Sequence, residues 1–184
     1  TISQNIKKKE DISALYNNIG SIYSNKGNYD EALKYHKDSL KLSEEIGDKA
    51  GIANSYNNIG SIYSNKGNYD EALKYYEDSL KLSEEIGDKE GLAISHFNIG
   101  VLYYKTKEFG KSLLFHFISF IIHKQIHHIK LKKPKNAIGN IRNKLGLLQF
   151  RKIATQVIKD LEPVYRKEIN IEEFLPTSPP VKSE

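Results

Sequence analysis

One feature constrains this chain above all others: slid against itself by 40 residues, segment 16–55 aligns with 56–95, and 35 of the 40 positions are identical. The differences fall at His36/Tyr76, Lys37/Glu77, Ala50/Glu90, Ile52/Leu92 and Asn54/Ile94. A third, diverged copy begins at His96 and keeps Asn98-Ile99-Gly100 and Tyr103. A period of this length means stacked supersecondary units, none of which buries its apolar face alone.

Each unit carries two helical faces. Tyr16, Ile19, Gly20 and Tyr23 follow the i, i+3, i+4, i+7 spacing, and Tyr29, Ala32, Leu33, His36 and Leu40 form a second stripe. Asn25-Lys26-Gly27-Asn28 supplies the turn between them, with Asn28 and Glu31 at capping-box spacing. Gly47 suits a left-handed helix stop and Asp48 the cap of the next helix. In the third unit Gly110-Lys111 and His127-His128 replace the capping and stop residues. Its second helix is therefore expected to run to about Lys130, with Pro134 breaking the chain after it. Beyond that break, Ile138, Ile141 and Leu145, then Phe150, Ile153, Ala154, Val157, Ile158 and Leu161, define a closing helix pair. The expected organisation is three units at about 11–47, 48–87 and 88–130, a closing pair over 131–162, and a flexible tail over 163–184.

The recurring aromatic, Ile-Gly, Tyr, Gly-Asn-Tyr and Ala positions (Tyr16, Ile19-Gly20, Tyr23, Gly27-Asn28-Tyr29 and Ala32, with their second copies from Tyr56 to Ala72) resemble the tetratricopeptide repeat (TPR). The 40-residue period is similar to the long-helix subtype of kinesin light chains and spindle-orientation adaptors. The resemblance implies an all-α, right-handed solenoid whose first helices line a concave groove, and a non-catalytic scaffold that takes a protein or peptide partner there.

Facing that groove, the sequence places Asn17 and Ser21, repeated as Asn57 and Ser61, with Asn18, Asn58 and Asn98 once per unit. An asparagine amide offers a donor and an acceptor, so such a ladder suits the backbone of an extended peptide. Three units span roughly ten extended residues at about 3.3 Å each. In the third unit Phe97, Val101, Tyr104 and Lys105 take over, which predicts an apolar pocket beside a positive charge for a hydrophobic side chain with an acidic neighbour.

Charge divides unevenly: residues 1–95 hold 12 Lys against 16 Asp and Glu, whereas 96–184 hold 16 basic and 7 acidic residues. The block Lys130, Lys132, Lys133, Lys135, Arg142 and Lys144 offers the alternative of nucleic-acid or acidic-partner binding. No reading motif for DNA or RNA accompanies it, and the tyrosines belong to the repeat pattern, which disfavours nucleic acid. The run 113–122, from Leu113 to Ile122, has eight apolar residues in ten. It is too short to span a membrane and is expected under the closing helices, or as an oligomer contact if uncovered. Cysteine is absent, so thiolate chemistry is excluded. The i, i+4 pair His123 and His127 lacks nearby carboxylates, and no phosphate-loop or paired-carboxylate motif occurs. No cofactor, no metal and no enzymatic activity are expected, and a cytoplasmic setting is.

Overall fold

The computed structural model describes residues 2–126, 132–161 and 163–175. Helices α1 (Ile2–Asn25) and α2 (Tyr29–Ile46), α3 (Lys49–Lys66) and α4 (Tyr69–Glu85), and α5 (Lys89–Lys105) and α6 (Phe109–Gln125) form three successive hairpins. Helices α7 (Lys132–Leu145) and α8 (Leu147–Asp160) follow, then the single turn α9 (Pro163–Arg166) and a 3-10 turn at Ile171–Phe174. Each hairpin packs on the next, with α2 against α3 and α4 against α5, so the architecture is an all-α solenoid.

Repeated side chains produce repeated geometry. In the first hairpin Tyr23 stacks on Tyr35 at 5.5 Å and 10°, and in the second Tyr63 stacks on Tyr75 at 5.5 Å and 9°. Tyr103 and Phe115 hold the same places in the third. The two helices of a hairpin approach closely where the first one carries glycine. A Cβ on Gly60 would lie 2.8 Å from the Tyr76 ring and 3.2 Å from the Ala72 carbonyl oxygen, so no larger residue fits without a shift.

Gly47 does stop α2 in the left-handed conformation (φ 70°), and Asp48 caps α3 by accepting from the Gly51 amide at 3.0 Å. Asn28 precedes α2 but makes no side-chain cap bond, so the expected capping box is absent. The first turn of α2 instead carries Asp30 and Glu31, whose charges favour the positive end of the helix dipole. The first helix also begins at Ile2, well before position 11. At the third unit, α6 ends at Gln125, short of the expected Lys130, which lies outside the described residues.

Two expectations for the C-terminal region are overturned. Pro134 does not break the chain: it is the third residue of α7, where a first-turn amide has no intrahelical acceptor and proline's fixed φ already suits a helix. Residues 163–175 are not a tail either. Ile169, Phe174 and Leu175 are buried with Leu113, Phe117, Phe120 and Ile121 of α6, Ile138 and Ile141 of α7, and Phe150 and Ala154 of α8. Phe174 meets Phe117 and Phe120 at 5.5 and 5.2 Å, and its carbonyl accepts from Arg142 Nη1 at 2.6 Å. Pattern reading missed this because the segment holds only two isolated helical turns, each too short to show a period. The run 113–122 is accordingly covered within the chain.

Candidate functional site

The helix interfaces within and between hairpins are polar. Ser13, Ser39, Ser55, Ser79, Ser95 and Ser119 are at most 3% exposed. Small hydroxyls let helices approach while keeping their hydrogen bonds: Ser79 and Ser119 donate to the carbonyls of Ala53 and Ala93, each at 2.8 Å.

Asparagines join these seams, which corrects the expectation that they face the groove freely. Asn17 is buried; its Nδ2 donates to Ser55 Oγ at 3.2 Å, and its Oδ1 lies 2.9 Å from His36 Nδ1. Asn57 is buried and donates to Ser79 Oγ and Ser95 Oγ at 2.7 and 3.0 Å. Two of the three ladder asparagines reach back one unit, Asn58 Nδ2 to Asn17 Oδ1 at 3.3 Å and Asn98 Nδ2 to Asn57 Oδ1 at 3.1 Å. Asn18 is exposed at the first hairpin. The ladder thus ties units together, because a buried amide without a partner would be costly and the adjacent unit supplies one. Ser21 Oγ donates to its own helix at the Asn17 carbonyl, and Ser61 bonds with the Tyr76 hydroxyl, whose pKa burial pushes up to about 12.

Phe97, Val101 and Tyr104 do come together. With His116, and with Lys133, Asn136, Ala137 and Asn140 of α7, they line an open cavity of about 470 Å³, a volume suited to a small-molecule-sized group. Lys105 is not part of it: its ammonium donates to the Ser64 carbonyl and hydroxyl at 3.2 and 3.0 Å, and burial lowers its pKa. The cation at the cavity is Lys133, which sequence reasoning placed in the basic block. The signal was present, since Lys133, Asn136, Ala137 and Asn140 follow i, i+3, i+4, i+7 on a face adjoining that of Ile138 and Ile141. The same helix also carries the apolar residues that cover the core, and spacing alone does not show that its second face lines a cavity.

A second cavity, of about 420 Å³, lies along the first turns of α3 and α5 and the middle of α1. Ala14, Asn54 and Ile94, one residue per unit, line it beside Glu10, Asp48, Asp88 and Glu90. These positions escaped notice because they lie outside both the tyrosine stripe and the asparagine ladder.

The basic block is partly spent inside the chain. Lys135 lies 5.4 Å from the Phe120 ring centroid and 3.7 Å from the Glu173 carboxylate, and Arg142 holds the Phe174 carbonyl. Lys133 and Lys144 are exposed, the side chain of Lys132 lies outside the described atoms, and Lys130 lies outside the described residues. His123 is buried with Nδ1 against the Ser119 carbonyl at 2.8 Å, while His127 and His128 also lie outside the described residues. No group of three or more potential metal ligands occurs among the described residues. None of their helices is long and apolar enough to cross a membrane.

The tetratricopeptide-repeat family model matches residues 11–85 and, overlapping, 51–116, more than half of the chain. The chain belongs to the tetratricopeptide repeat family. No curated protein matches it in sequence. Among solved structures, TPR architecture brings it close to BtubC (BKLC) from P. vanneervenii, with TM-score 0.64 and 19% identity over 94% of this chain and 68% of that one. The apo form of RapI is similar as well, with TM-score 0.68 and 18% identity over 89% of this chain and 57% of RapI. At these identities the likeness establishes the fold alone.

Proposed function

We propose that this TPR chain is a non-catalytic interaction scaffold that holds an extended partner segment along the face formed by α1, α3, α5 and α7. The observation carrying this reading is the row of accessible cavities on the helices that open successive units: the one beside Ala14, Asn54 and Ile94, and the one beside Phe97, Val101 and Tyr104. The asparagine ladder braces this face, and what a partner meets is the side chains set between its rungs. The 40-residue period supports placement in the long-helix subtype. Lys135 and Arg142, two of the four block residues whose side chains are described, are engaged within the chain, and this favours a protein partner over nucleic acid.

Selection of a displayed random dodecapeptide library on the immobilised full chain tests the reading. The winning synthetic peptides should bind with affinities that weaken tenfold or more in Ile94→Arg and Val101→Arg. Lys74→Glu, an exposed position on α4, should leave them unchanged. Binding indifferent to both arginines, or abolished by Lys74→Glu, would place the interaction surface elsewhere.

A further inference from the structure

The cavity between α5 and α7 differs in character from the rest of the face. Where the first two units carry Asn and Ser, the third carries Phe97 and Val101, and Tyr104 replaces Ser24 and Ser64. These apolar walls are half-buried, so water wets them and a ligand would gain by displacing it. The floor is His116, 1% exposed, whose ring centroid lies 5.2 Å from that of Phe97. Its Nδ1 has no hydrogen-bond partner. In the first unit the matching His36 is satisfied by Asn17, and the change to Phe97 removes that acceptor.

Opposite these walls stand Lys133, Asn136 and Asn140 on one face of α7. None of the described lining residues is acidic, and Lys105 is turned to Ser64. Burial keeps His116 neutral at physiological pH, its pKa pushed down to about 4, so Lys133 is the one charged group among the described lining residues. Lys133 is exposed and makes no ion pair among the described residues, whereas its neighbour Lys135 is engaged by Glu173.

We infer that this cavity is a specificity subsite for a partner segment in which an aromatic or branched apolar side chain lies next to a carboxylate. The side chain packs against Phe97, Val101 and Tyr104, the carboxylate meets Lys133, and Asn136 and Asn140 offer amide donors beside it. The occupant is a protein segment, as the proposed groove function on which this inference rests requires. The acid-adjacent preference comes from α7, so it belongs to this end of the array and not to the repeats.

Three probes of equal length and differing charge read the subsite directly: 3-phenylpropionate, 3-phenylpropanol and 3-phenylpropylamine, titrated into the isotope-labelled full chain and followed by amide chemical shifts. The propionate should give saturable shifts centred on Val101, Tyr104, Asn136 and Asn140, and bind at least fivefold more tightly than the amine. Lys133→Glu should reverse that order, Lys105→Gln should leave it intact, and Ala137→Phe should block all three probes. Equal binding of the three charge forms, or shifts centred elsewhere, overturns the subsite.

The library-selected peptides separate the two readings. Peptides that depend on Ile94 but carry no apolar–acid pair and ignore Lys133→Glu would sink the subsite while sparing the groove. Propionate binding with no selectable peptide would make the cavity a small-molecule site and overturn its assignment to a protein partner.

Discussion

Asn57 and Ser95 meet across the seam between the second and third hairpins, the asparagine Nδ2 donating to the serine Oγ at 3.0 Å while its Oδ1 accepts from Asn98. One buried side chain therefore bonds both to its own unit, at Ser79, and to the following one. Asn57→Ala should cost about 2–3 kcal/mol, because several buried groups lose a partner together. Urea denaturation would show this as a lower midpoint at unchanged slope. A loss below about 0.5 kcal/mol, the scale of an ordinary surface change, would mean that the seam does not depend on its polar network.

The contact between Gly60 and Tyr76 predicts a coupled pair. Gly60→Ala forces a methyl to within 2.8 Å of the ring and should destabilise by about 2 kcal/mol or more, despite alanine's better helix propensity. Tyr76→Leu removes the ring and should lessen the penalty of Gly60→Ala. Strictly additive effects in the double-mutant cycle would refute the steric explanation.

Acid should unfold the array through its buried imidazoles. Burial pushes His36, His96 and His116 down to about 4, from an ordinary value near 6.5. Between those limits the unfolded chain binds protons that the folded chain refuses, so stability is full above about pH 6.5 and falls as pH drops toward 4. A shift of this size is worth up to about 3 kcal/mol per histidine. Thermal melts from pH 7.5 to 4.5 should show Tm falling steadily. His96→Tyr, which installs the residue that the first two units carry, should flatten the slope; an unchanged slope would remove His96 from the account.

Phe174 should behave as a core residue. Phe174→Ala empties its contacts with Phe117 and Phe120 and is expected to cost about 3–4 kcal/mol. Limited proteolysis of this variant should cut within 163–175, while the parent chain resists there. Equal cleavage in both would mean that the segment is not held.

The hairpins were legible in the sequence because their information is local and repeated. Period, tyrosine stripes, Gly47 and Asp48 each act within a few residues of themselves. The site was legible only where identity broke the repeat: Phe97, Val101 and Tyr104 stood out as replacements. Asn17 and Asn57 misled because a surface amide and a seam amide share one helical spacing, and only the neighbouring unit decides between them. Lys105 and Lys133 exchanged roles for a similar reason. A lysine's destination depends on which carbonyls lie within its reach, and Ser64 belongs to the preceding unit. Phe174 was hidden by distance, its aromatic partners lying more than 50 residues back along the chain.

Because Asn58 grips Asn17 much as Asn98 grips Asn57, the border between first and second units uses nearly the same handshake as the border between second and third. A duplicate of the middle unit, spliced in after itself, would find at both borders the contacts that it already makes. Growth of the array by recombination between near-identical stretches would thus meet, at these asparagine contacts, partners already present in the chain. What such changes alter is the spacing between the Ala14 end of the face and the Lys133 end, so repeat number would act as an inherited ruler for the partner segment we propose.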